Sequence, residues 1–160
     1  MSFDFSRNLI AAMAKMAPLL LNMQVAQRLS ILAYHRVLAA PDSMRPGEPT
    51  VAEFDWQMRL LREHFSPLPL VEAVERMQSG TLPDRAVCVT FDDGYADNEQ
   101  LALPVLLKYH IPATVFVSTG FLNGGRMWND SVIESLRVHQ GDELDLRDYN
   151  LGQYNLDSFA

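Results

Sequence analysis

Apolar residues run almost unbroken through Ala86-Val-Cys-Val-Thr-Phe91, which predicts a strand buried on both faces of a parallel sheet. Ile31-Leu-Ala-Tyr-His35 predicts a shorter buried strand with His35 at its carboxyl end, and Ala113-Thr-Val-Phe-Val-Ser118 predicts a third. Between the strands the period changes. Phe54, Met58, Leu61 and Phe65 recur at helical spacing behind a T-x-x-E capping box, Thr50 with Glu53, so a helix is expected from about Val51 to His64. A second is expected over Leu70 to Gln78, with Val71, Val74 and Met77 on one face and Gly80 as its stop. A third should run from about Asn98 to Tyr109, capped by Asp97 and Asn98, with Pro104 marking a kink or a late start. Past Phe121 the pattern weakens to a loop at Asn123-Gly-Gly125, a short helix capped by Asp130 and ending near Arg137, and a tail whose Leu144, Leu146, Leu151 and Leu156 suggest hairpin strands.

Strand, helix and strand from Ala86 to Ser118 form a right-handed crossover with parallel strands. The fold class is therefore α/β, either an open doubly wound sheet or a partial, distorted (β/α) barrel. No glycine-rich phosphate-binding element follows any strand, whereas His35, Asp92, Asp93 and Thr119 all follow strand ends. In a barrel, functional groups gather at that rim, so the barrel is the better fit.

Composition narrows the partners. A chain of 160 residues that is 48% apolar holds one globular domain and is too short for two ordinary ones. Thirteen basic against twenty acidic residues leave a net charge of −7 without a basic cluster, which argues against nucleic acid as a partner. Cys88 lies within the apolar strand and reads as an inert buried thiol. The stretch from Leu9 to Met23 is apolar but broken by Lys15 and Pro18, too interrupted for a spanning helix. Residues 1–30 are expected to carry an amphipathic helix docked on the domain, with membrane-surface contact through Leu19, Leu20 and Leu21 as the alternative. That suits a cytoplasmic or membrane-associated setting better than export.

The chemistry centres on Asp92 and Asp93, adjacent carboxylates before Gly94. Two such charges repel, and a cation, a shared proton or open water must relieve them. With a divalent metal, one carboxylate binds the ion and the other accepts a proton from its water, whose pKa such an ion lowers from 15.7 to roughly 7. An ordinary Asp-Gly turn is the bland alternative.

Thr90-Phe-Asp-Asp-Gly-Tyr-Ala-Asp-Asn98, Leu103-Pro-Val-Leu106 and Ile111-Pro-Ala-Thr-Val-Phe-Val-Ser-Thr-Gly120 decide between them. Together they resemble the first motif region of polysaccharide deacetylases, carbohydrate esterases of family four with a NodB homology domain. The likeness runs from about Ile31 to Asp130. It implies a distorted barrel of seven strands and metal-dependent hydrolysis of N-acetyl or O-acetyl groups on glycans, with Asp92 as general base and Asp93 as a metal ligand. The expected metal is zinc, with cobalt or nickel as alternatives, and the expected partner is an acetylated polysaccharide. Tyr34-His-Arg-Val37 resembles a rearranged subgroup acting on exopolysaccharides of the poly-N-acetylglucosamine type, where the histidine corresponding to His35 is the general acid. Tyr95 and Trp128 are candidates for covering apolar sugar faces, with core packing as the competing use.

One departure bears on activity. The family completes its metal site with an H-x-x-x-H motif, and this chain has only His35, His64, His110 and His139, none four positions from another. His64, His110 and His139 read as surface residues. Residues 31–160 thus resemble the N-terminal portion of such a domain, apparently truncated, with an incomplete metal site, and the chain alone is expected to be inactive. Two alternatives remain: a hydrolase of a non-sugar amide or O-acetyl ester, and a non-catalytic scaffold that binds glycan or a partner.

Overall fold

The computed structural model describes residues 28–156. The helix expected within residues 1–30 lies outside them, save the last three positions of that range. The described residues divide into two compact units, the first ending at Pro41 and resuming over Gly47–Val117, the second formed by Asp42–Pro46 with the chain from Ser118 onward.

The first unit is an α/β assembly in which β3 (Ala86–Asp93) is central. β1 (Leu29–Tyr34) lies parallel to it in a register that pairs Leu29 with Ala86 and Tyr34 with Phe91. On the opposite edge, β2 (Ser66–Pro67) pairs with Ala86 and Val87, and β4 (Ala113–Val117) pairs with Val89 through Asp93. The four strands make one parallel sheet, and the described pairings do not close it into a barrel. The short β2 is not legible in the sequence, because Pro67 cannot donate to a ladder and reads as a loop.

The helices begin and end where local chemistry dictates. The capping box forms at the start of α1 (Val51–His64): the Glu53 N–H donates to the Thr50 hydroxyl at 3.3 Å, and the Glu53 carboxylate accepts the Thr50 N–H at 2.8 Å. α2 (Leu70–Ser79) stops at Gly80, which adopts the left-handed conformation that glycine tolerates without a steric cost. Its expected apolar face is not the buried one. Val71, Val74 and Met77 are exposed, and α2 meets the sheet through Leu70 and Ala73, which pack with Leu82 against the small residues Ala86 and Cys88. Small side chains on both partners favour Ala73 at the contact over the larger valines.

After β3 the chain enters a π turn, Asn98–Ala102, before α3 (Leu103–Tyr109). Leu103 N–H bonds the Asn98 carbonyl, and Pro104, which has no N–H to offer, falls at the start of the α-helical stretch. The late start is the observed one. Val87, Val89 and Phe91 project from one face of β3 onto α1 and α3, packing with Phe54, Met58, Leu61, Val105 and Leu106. Tyr34, Phe54 and Phe91 form a ring cluster with centroids 5.2 to 5.8 Å apart, each pair worth about 0.5–1.5 kcal/mol beyond area burial.

In the second unit, α4 (Trp128–Val138) starts two residues earlier than the expected Asp130 cap. Met127 is the cap residue, and Asp130, the third residue of the helix, is buried against Arg45 at 2.6 Å. The expected hairpin forms from β5 (Glu143–Asp145) and β6 (Gln153–Asn155), paired antiparallel. Among the described residues no helix is long and apolar enough to cross a membrane.

Candidate active site

β3 carries the acidic pair further than its apolar pattern suggests, because the strand includes Asp92 and Asp93, which pair with Phe116 and Val117 of β4. Successive residues of a regular strand face opposite sides of a sheet, so an extended Asp-Asp pair would diverge. Asp93 breaks the alternation. Its φ is +74°, followed by +71° at Gly94, and this left-handed step turns the chain out of the strand. A Cβ at Gly94 would meet Val117 Cγ1 at 3.1 Å, so the turn is both conformationally and sterically reserved for glycine.

His35 is the first residue beyond β1, and Asp92 follows the β3 residue that pairs with Tyr34, so the two exits lie level in adjacent strands. Asp92 and Asp93 are half-buried and His35 is exposed. Among the described residues, neither the Asp92 carboxylate nor the His35 ring has a hydrogen-bond or ion-pair partner. Immediately before His35, burial pushes the Tyr34 phenol up to about 12, and its hydroxyl donates to Gln57 Oε1 at 2.9 Å. Burial also pushes the Cys88 thiol up, which keeps it an inert core residue.

Asp97 and Asn98 do not cap the following helix. Their side chains cross to the β1 exit instead. Arg36 Nε donates to Asp97 Oδ2 at 2.8 Å, Val37 N–H donates to Asp97 Oδ1 at 3.3 Å, and Asn98 Nδ2 donates to the His35 carbonyl at 2.9 Å. The Arg36 guanidinium lies 4.5 Å from the Tyr95 ring centroid, so one face of this candidate sugar platform is already covered by a cation. Asp97-Asn98 sits within the same nonamer as Asp92 and Asp93, and that shared motif is the sequence signal for this role.

His35, Asp92, Asp93 and Tyr95 all lie at or just beyond the exits of two adjacent strands. Trp128 belongs to the second unit, where it opens α4 and is 81% exposed. Of the other histidines, His110 ends α3 in a left-handed conformation and is exposed, and His139 is exposed with Nε2 near the Glu143 carbonyl. His64 is half-buried, not a free surface residue, with Nε2 3.9 Å from the Glu63 carboxylate. Catalytic zinc sites use three protein ligands as a rule. Among the described residues no three His, Cys, Asp or Glu side chains gather closely enough to hold a metal, so these residues by themselves do not fit one.

Residues 79–137 match the family described as polysaccharide deacetylase. Over those residues the chain is homologous to polysaccharide deacetylase domains. A poly-beta-1,6-N-acetyl-D-glucosamine N-deacetylase of Staphylococcus epidermidis is 29% identical over 138 residues, 78% of this chain and 48% of that protein. One of the same name from Staphylococcus aureus is 27% identical over 110 residues, 68% of this chain and 38% of that protein. Among solved structures, IcaB from Ammonifex degensii superposes with a TM-score of 0.55 at 34% identity, covering 61% of this chain and 41% of that one. The chain spans less than half the length of each of these relatives. The deacetylase match includes β3, the acidic pair and α3, and extends through most of α4.

Proposed function

We propose that this deacetylase domain serves the hydrolysis of N-acetyl groups on an exopolysaccharide of the poly-N-acetylglucosamine kind, within a complete barrel to which residues 31–160 contribute the N-terminal portion. The observation that carries the proposal is the level placement of His35 and Asp92 at the exits of adjacent strands, each side chain without a bonding partner among the described residues. Asp92 accepts a proton from the water that attacks the acetamide carbonyl carbon. The tetrahedral adduct then collapses, the carbon–nitrogen bond breaks, and His35 delivers a proton to the departing amine. The products are acetate and a free amino sugar.

Asp93 is proposed as one ligand of a divalent metal, zinc with cobalt or nickel as substitutes, whose remaining donors are not among the described residues. Tyr95 and Trp128 are proposed sugar contacts. The single carboxylate donor also favours a second reading, a scaffold that binds glycan without turning it over.

The test is a chimera in which this chain is continued by the remainder of the Staphylococcus epidermidis relative. It should release free amines from an acetylated glucosamine oligomer, and Asp92→Asn or His35→Ala should each lower kcat by about 100-fold or more. Full activity in the Asp92→Asn chimera would sink the assignment. Binding of the oligomer with no turnover in the parent chimera would favour the scaffold. The 160-residue chain alone should show no turnover with added zinc or cobalt. Turnover abolished by Asp93→Ala would overturn the need for outside donors.

A further inference from the structure

His35 leaves β1 at the point where the regular ladder ends, and the ring itself is exposed. A proton donor in such a position is useful only if its Cα–Cβ direction is fixed, because proton transfer needs hydrogen-bond reach and alignment. The three residues His35, Arg36 and Val37 are held by one dipeptide from the loop after β3. Asn98 Nδ2 grips the His35 carbonyl at 2.9 Å, and Asp97 takes the Arg36 side chain at 2.8 Å and the Val37 N–H at 3.3 Å. Asn98 Nδ2 also donates to Asp97 Oδ1 at 3.3 Å, which joins the two grips into one. The Arg36 N–H has a separate acceptor in Glu48 Oε2 at 3.2 Å.

Two features separate this clamp from ordinary packing. Asp97 and Asn98 are 9% and 7% exposed, and buried polar groups of this kind are costly unless their partners are well placed. The Asn98 amide nitrogen faces two acceptors, which fixes its orientation, while its Oδ1 is buried without a partner among the described residues. What the side chain contributes lies at its nitrogen, and the nitrogen holds His35.

We infer that Asn98, with Asp97 as its anchor, is a positioning residue for His35, setting the direction of its Cα–Cβ bond from the far side of the loop. The inference rests on the reading of His35 as proton donor, but its geometry is measurable without turnover. An aspartate at position 98 keeps the shape and replaces the donor by an acceptor facing both the His35 carbonyl and the Asp97 carboxylate.

The experiment uses the 160-residue chain labelled with carbon-13 and nitrogen-15. Three-bond HN–Hα couplings and Cα–Hα residual dipolar couplings at His35 should report one backbone conformation in the parent and backbone averaging in Asn98→Asp, with Val37 amide exchange at least about tenfold faster in Asp97→Asn. Asn98→Ala, which removes the donor without adding a repelling oxygen, is read wherever Asn98→Asp does not fold. A purely structural role lowers the melting temperature and leaves the His35 couplings of the folded variant unchanged. That result overturns the inference, as does backbone averaging at His35 in the parent itself. A clamped His35 beside an inactive chimera would leave the positioning intact and remove the deacetylation reading. An active chimera with His35 indifferent to Asn98 would do the reverse.

Discussion

The Asn98 side-chain amide donates to the carbonyl of His35 across 2.9 Å, although the two residues lie 63 positions apart in the chain. This bond spans the exits of two adjacent parallel strands, and it makes the first strand's loop depend on the loop that carries the acidic pair. A substitution in the turn after β3 therefore changes the surroundings of a residue in the turn after β1.

Gly94→Ala should be among the most damaging small substitutions in the first unit. The residue sits at φ +71°, and a new methyl would approach Val117 to 3.1 Å. The left-handed conformation alone costs an alanine about 1–2 kcal/mol, and the contact adds to it. Urea denaturation should show at least that loss. Gly47→Ala, with nothing within 4 Å of the added methyl, is the control and should shift the midpoint little.

Thr50→Ala should destabilise α1 by about 1 kcal/mol at neutral pH, the usual worth of an N-cap side chain. The Thr50 backbone N–H, and then its hydroxyl, hold the Glu53 carboxyl below its ordinary value of 4.5. A depressed folded value means that the carboxylate's contribution is complete above the unfolded value and is lost as pH falls through the folded one. The stability difference between the parent and Glu53→Gln, followed by thermal melts from pH 7 to pH 2, should accordingly shrink on the acid side of 4.5. A difference that grows in acid would contradict the capping geometry.

Asp130→Ala should destabilise the second unit far more than the loss of a surface pair. Asp130 and Arg45 meet at 2.6 Å with side chains only 11% and 9% exposed, so removing the carboxylate leaves a nearly buried guanidinium. Asp42 and Glu134 remain 3.9 and 3.7 Å from Arg45 and soften the loss. The expected cost is about 1–3 kcal/mol. Arg147→Ala, at an exposed pair with Asp145, should leave the melting midpoint unchanged.

Zinc titrated calorimetrically into the isolated chain should bind in the millimolar range or more weakly, because one carboxylate cannot replace three ligands. Micromolar binding that vanishes in Asp93→Ala would show that the chain assembles donors not gathered among its described residues.

Local signals were legible where one residue type answers one backbone need and no distant partner competes for it. Thr50 with Glu53 marked the start of α1, Gly80 the end of α2, and the run from Ala86 to Phe91 the central strand, because capping bonds, left-handed glycine and two-sided burial leave direct traces in residue choice. The nonamer around Asp92 and Asp93 likewise announced a deacetylase-like loop by residue identity alone. Tertiary structure decided what depends on distant partners. Ala73, and not Val71, Val74 or Met77, meets the sheet because small side chains on β3 admit a close helix there. Asp130 is a buried ion-pair partner, and not a cap, because Arg45 lies against it. Asp97 and Asn98 turn from their own helix to the residues around His35, since acceptors and donors supplied from 60 to 63 positions away satisfy them where local groups would not. A sequence records which groups a residue is able to bond, and only the folded chain determines which of them arrive within reach.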